Sequence, residues 1–272
     1  MYANLQPDVR GESRTFFRIF KKNENFFCTF EVLEWKQHKK TLLQQTTYQD
    51  TMNIKALTQF LSELREHNEK AWFDAHKKRY EVLRAEWLEL IEAVIIGVAG
   101  FDSTVQNVEP KQCVFRINRD IRFSQDKSPY KTNFSMVIGS EGRKTLGPSY
   151  YMQIDASGEM FVAGGVWMPE KDHLAAIRNH IAEHPDRIEA VLANKTFKNM
   201  FGDIDRSESL TRLPKGFDDD VPHPDLIKLK SFIAQRPFKW KPSPDNALEQ
   251  EIVRHFEAMY PFVEWLRAVK IR

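Results

Sequence analysis

Residues 150–169 read YYMQIDASGEMFVAGGVWMP, and this stretch decides the fold. Tyr151, Gln153 and Asp155 alternate with Met152 and Ile154, the period of two that gives a β-strand one polar and one apolar face. Ala156-Ser157-Gly158 then suits a tight hairpin, because glycine enters the positive-φ region such turns require. Strands near 149–156 and 159–166 therefore pair antiparallel. Gly164-Gly165 removes side-chain bulk, which fits either a bulge or the close approach of a ligand or another backbone.

Working towards the N-terminus, short runs near 112–118 and 132–139 show the same extended character, and Ser140-Glu141-Gly142 begins a longer connection. Ahead of them lie two helical patterns. Asn53 is a good N-cap for Ile54, Leu57, Leu61 and Leu64. After a break at His67-Asn68, Trp72, His76, Tyr80, Leu83, Trp87, Leu90 and Val94 step by three and four along one face to a stop near Gly97. His76 within that stripe reads as a hydrogen-bonded core or edge residue.

Towards the C-terminus, Pro169 stands where a helix carrying Leu174, Ile177 and Ile181 begins, and His184-Pro185 ends or kinks it. A loop over 213–224, a short helix around 225–233 and a connector with Pro237, Pro242 and Pro244 follow. A last helix carries Leu248, Ile252, Phe256 and Met259, with Tyr260-Pro261 breaking it before Phe262, Trp265 and Leu266. The expected class is α+β: a mainly antiparallel sheet packed against N-terminal and C-terminal helices.

Residues 1–51 hold scattered aromatics without a sustained period and read as an N-terminal extension, with Met52 the expected start of a single domain over 52–272. The chain has 272 residues, 42% hydrophobic and 29% charged, enough for one sizeable core. Cys28 and Cys113 have no paired spacing, so neither a disulfide framework nor a cysteine zinc site is expected. No apolar run reaches the roughly 20 residues of a membrane span, and the cytoplasm is the expected location. Of 40 Lys/Arg and 38 Asp/Glu, residues 1–51 hold 8 and 6, leaving 32 of each in the body. Nucleic acid is thus a partner that global charge does not support; any attraction for anions has to be local.

The chemically unusual stretch is 116–131, RINRDIRFSQDKSPYK, with five cations against two carboxylates. If 113–118 is extended, Cys113, Phe115 and Ile117 share one face and Val114, Arg116 and Asn118 the other, with Asp120 and Arg122 continuing the polar side. Arg119 would then face the core, where an unpaired charge costs several kcal/mol, so either the strand ends at Asn118 or Arg119 has a buried acidic partner. Arginine forks match phosphate or carboxylate oxygens and lysine adds a mobile charge. Arg116, Asn118, Arg119, Arg122, Lys127 and Lys131 are therefore candidates for an anionic small-molecule ligand, with Tyr151 and Lys215 as further candidates to close around it. Asp120, Asp126 and Tyr130 are the candidate catalytic groups.

Three readings follow: an anion-binding or catalytic site; a non-catalytic module in which the charges form a structural network; or a metal-dependent phosphoesterase or nuclease using Asp120 and Asp126. Asp218, Asp220 and His223 could also ligate a metal, although a solvated loop with Asp residues near a helix N-terminus accounts for them better. Nucleotide-binding glycine loops, HExxH, GxSxG and Cys/His zinc patterns are absent, so no cofactor is named.

Four ordered blocks carry a resemblance: HNEKAWFDAHKKRYE from His67, RINRDIRFSQDKSPYKTNF from Arg116, YYMQIDASGEMFVAGGVWMP from Tyr150 and LPKGFDDDVPHPDLIKLKSF from Leu213. With them the chain resembles, over about 52–265, the conserved hypothetical family catalogued as domain of unknown function 2461. The resemblance implies a single α+β domain and carries over no catalytic residue. His67 stands where the family usually has asparagine, and Pro222 where it has an acidic residue.

Overall fold

Asn53 caps the first helix as its sequence predicts, its side chain accepting from the Ala56 N–H at 3.0 Å. This computed structural model describes residues 52–243 and 247–271; the reading of 1–51 as an extension lies outside them. The described elements are helices α1 (Ile54–Glu66), α2 (Lys70–Val98) and α3 (Pro110–Cys113), strands β1 (Asn133–Ile138), β2 (Ser149–Asp155) and β3 (Met160–Val166), helices α4 (Lys171–Glu183), α5 (Pro185–Ala193), α6 (Lys195–Phe201) and α7 (Pro224–Ile227), strand β4 (Phe232–Phe238) and helix α8 (Leu248–Ala268). The sheet is antiparallel in the order β1-β2-β3-β4. The fold is α+β.

The alternation in β2 sets the layering. Tyr150, Met152 and Ile154 are fully buried while Tyr151, Gln153 and Asp155 are half-buried. The buried face meets α1, α2 and the first half of α8 in a core that includes Leu57, Leu61, Trp87, Leu90, Phe256 and Met259. A second cluster joins α4, α5, α6 and α7 to Val166, Phe232 and Ala234 at the β3–β4 side, through Phe262, Trp265 and Leu266 of α8.

Four expectations change. The run 112–118 is not a strand: Pro110 at the first helical position and the Gln112 side chain accepting from the Glu109 N–H at 2.8 Å start α3. Only isolated bridges follow, Val114 with Met136 and Asn118 with Tyr130. The fourth strand is instead β4, in a region read as a helix end and connector. Pro237 fits there because β4 is an edge, where a missing N–H breaks no ladder on its outer side. The helix expected over 225–233 is the four-residue α7. Finally, Pro261 does not break α8. An interior proline costs about 3 kcal/mol, whereas fully burying a large apolar side chain is worth about 1.5–3 kcal/mol, and Phe262, Val263 and Leu266 beyond it are all buried.

The paired glycines face protein on both sides. A Cβ on Gly164 would lie 2.6 Å from the Met259 sulfur, and one on Gly165, at φ +124, would lie 2.1 Å from the Phe232 carbonyl oxygen. Helix and strand packing require both.

Candidate functional site

Segment 114–131 runs beside β1 and then doubles back on itself. The Phe115 N–H donates to Ser135 O at 3.3 Å, the Lys131 N–H to Ile117 O at 2.8 Å and the Arg119 N–H to Pro129 O at 2.9 Å, so residues 120–128 form a closed loop. Asn68, at the break between α1 and α2, clamps its base: the side chain donates to Tyr130 O and accepts from the Tyr130 N–H, each at 3.0 Å. The Tyr130 ring is buried, stacked 4.2 Å from Phe73. Tyr130 is placed as a core residue rather than at a reacting centre.

Within the loop the charges satisfy one another. Arg119, a quarter exposed, pairs with Asp126 and donates to Ser128 O and Ser124 Oγ, both at 3.2 Å. This partner is largely exposed and 112–118 is no strand, so Arg119 finds its acid outside the core and not as a buried pair. The Asp126 carboxylate also accepts from the Ser128 hydroxyl (2.6 Å) and N–H (2.9 Å). Ser128 first and Arg119 after it bring its pKa down to about 2. Arg122 grips Asp120 with two donors at 2.9 and 2.7 Å and, with its own N–H, holds that carboxyl below its usual range. Lys127 donates to Ile121 O at 3.0 Å. Carboxylates held ionised in this way are poor proton donors at neutral pH.

Arg116 and Lys131 differ. Among the described residues neither makes an ion pair or a side-chain hydrogen bond; Lys131 lies 4.8 Å over the Phe115 ring. Burial and, after it, the Arg116 charge lower the Lys131 pKa. The expected strand parity fails here: with Val114 bridged to core-facing Met136, it is Phe115 that reaches the sheet's other face, touching Tyr151 at 6.4 Å, while Cys113 closes α3. On that face the Gln153 carbonyl oxygen accepts from the Tyr151 hydroxyl at 2.6 Å and from the Asn133 amide at 3.1 Å. With the oxygen used twice, its NH₂ is left without a partner among the described residues. Burial raises the Tyr151 pKa, with the Ser135 hydroxyl acting against it, so the phenol stays a neutral donor. The sequence signal for Asn133 and Ser135 is their alternation with Phe134 and Met136 in β1, opposite Asp155 and Gln153.

A cleft of only about 10 Å³ lies beside Arg116, lined by Tyr80, Arg84, Trp87 and Asn133. A larger cavity, about 400 Å³, sits elsewhere, at α4, α5 and the end of α8, with Asp172, His180, Glu183, His184, Arg187 and Lys270 on its walls. Burial, ahead of the His184 and Arg187 charges, lowers the His180 pKa.

The remaining candidates are dispersed. Asn118 lies exposed beside the loop, bridged through its backbone to Tyr130. Lys215 is exposed in a loop whose neighbours Leu213 and Phe217 pack on the second core, away from the first core that takes in Val114, Ile117 and Tyr130. His223 Nε2 donates to the Glu189 carboxylate at 2.7 Å. No group of three His, Cys, Asp or Glu side chains is set to hold a metal among the described residues. Cys113 is buried, and burial pushes its thiol up to about 12, which leaves it protonated and unreactive. His76 stacks 4.0 Å from Trp72 and bonds its carbonyl oxygen at 2.8 Å.

A family model described as Conserved hypothetical protein (DUF2461) matches residues 56–265. The chain belongs to this family. No curated protein matches it, and no solved structure does. Within this DUF2461 chain the matched span runs from α1 to Trp265, so it takes in the Asn68 clamp, the self-paired loop and the Arg116–Lys131 pair together. None of its helices among the described residues is long and apolar enough to cross a membrane.

Proposed function

We propose that this protein binds a phosphorylated or otherwise anionic ligand at Arg116 and Lys131, beside the Gln153 amide on the half-buried face of the sheet. The observation that carries the reading is a pair of cations that make no ion pair among the described residues, in a segment whose other three cations all have partners. Two like charges close enough to depress a lysine pKa raise the energy of the empty site, and an anion relieves that repulsion. The Gln153 NH₂ adds neutral donors, and no carboxylate is paired with either cation. The ligand is bound rather than transformed through Asp120 or Asp126, because both carboxylates are engaged by arginine.

The structural-network reading applies to the loop half of the segment: Arg119 and Arg122 are saturated by carboxylates, as a scaffold requires. Isothermal titration of the full chain with pyrophosphate tests the ligand reading. Wild type is expected to bind, and Arg116→Ala and Lys131→Ala each to weaken binding about tenfold or more, as loss of a charge-assisted contact implies. No heat from wild type, or wild-type affinity in both variants, overturns it.

A further inference from the structure

The face that carries Arg116 and Lys131 also carries aromatic rings that no core uses. Phe115, Tyr151 and Phe161 belong to neither hydrophobic cluster and are half-buried. Phe115 meets Tyr151 at 6.4 Å and 65°, and Tyr151 meets Phe161 at 6.3 Å and 67°. Neighbours so inclined touch edge to face, and none is stacked flat on the next as Phe73 is on Tyr130 at 4.2 Å and 18°. The core elements pack on the opposite face, where α8 lies against Gly164.

From this geometry we infer that the anionic ligand is single-stranded nucleic acid, its phosphates held by Arg116 and Lys131 and its bases laid against Tyr151 and Phe161, with the Phe115 ring lying under Lys131. The inference rests on the anion-binding reading and names its ligand. Bases stack on aromatic side chains with little regard to sequence because every base has a π-face. The unpartnered Gln153 NH₂ and Asn133 carbonyl oxygen put a donor and an acceptor on the same face, the combination a base edge presents. A free mononucleotide needs an enclosing pocket, and the cleft here, about 10 Å³, encloses none. A strand instead gathers several shallow contacts along a sheet. With 32 cations and 32 carboxylates in residues 52–272, only a couple of phosphates are neutralised, so the salt dependence is shallow.

The experiment is fluorescence anisotropy on the full chain with a labelled thymidine decamer, an abasic decamer with the same number of phosphates, and unlabelled pyrophosphate as competitor. The thymidine decamer is expected to bind about tenfold or more tighter than the abasic one, with a slope of log K against log salt of about −1.4 for two phosphates. Phe161→Ala is expected to weaken the decamer at least about fivefold, with its melting temperature measured alongside. Equal binding of the two decamers overturns the base-stacking inference and leaves the anion site standing. So does pyrophosphate binding, by calorimetry, with neither decamer bound. If nothing binds, both fall.

Discussion

The two halves of segment 116–131 are built from the same residue types and behave oppositely. In the closed loop, Arg119, Arg122 and Lys127 each find an acceptor within a few residues, and both aspartates are consumed. At its base, Arg116 and Lys131 are brought together across the doubled-back chain and, among the described residues, neither makes an ion pair, although the Arg116 charge reaches the Asp120 carboxylate. Charge density alone therefore does not mark a site. What marks one is donors left over after the local carboxylates are counted.

The comparison breaks hardest at Arg119. Arg119→Ala removes the hydrogen bonds to the Ser128 and Ser124 oxygens and is expected to lower stability by about 2 kcal/mol, read by urea unfolding, the largely exposed Asp126 pair adding little. A loss under about 0.5 kcal/mol would mean that the loop does not need its own charges. Asn68→Ala removes both clamp bonds at Tyr130 and is expected to cost about 2 kcal/mol. Amide exchange should then rise across 117–131, and unchanged exchange there would deny the clamp its role.

Lys131→Ala separates the halves most cleanly: pyrophosphate affinity is expected to fall by about 1.4 kcal/mol, a factor of ten, while the melting temperature holds or rises as repulsion with Arg116 disappears. A drop in stability without a change in affinity would move Lys131 into the scaffold. Arg122→Ala is expected to leave the urea unfolding midpoint unchanged, since both partners of that pair are largely exposed. Last, the Asp126 carboxyl is expected to titrate at about 2, below the ordinary aspartate value of about 3.9. With its folded pKa depressed, its contribution is complete above about 3.9 and is lost as pH falls through about 2. A carbon-13 titration with an ordinary midpoint would show the loop unpaired in solution.

A second carboxylate behaves alike in the core. Burial alone would raise the Asp102 pKa, yet Thr104, Arg267 and Tyr150 hold it low. It ties the end of α8 to β2, which explains why that helix stays continuous past Pro261.

Much of this was legible in the chain. Strict alternation in 149–155 and the glycine turn at 158 dictate a hairpin whatever surrounds it, because both are local steric facts. The stripes of α1 and α2 are equally local. What the tertiary structure decided is everything that depends on distant partners. Phe232–Phe238 became a strand only because β3 offered it a free edge. Pro261 stays helical because two cores close around it. Arg116 and Lys131 meet because the chain doubles back and Asn68, 62 residues before Tyr130, holds it there. Periodicity encodes which face a residue occupies; it does not encode which charges are left without a partner, since that count is taken only after the chain has folded.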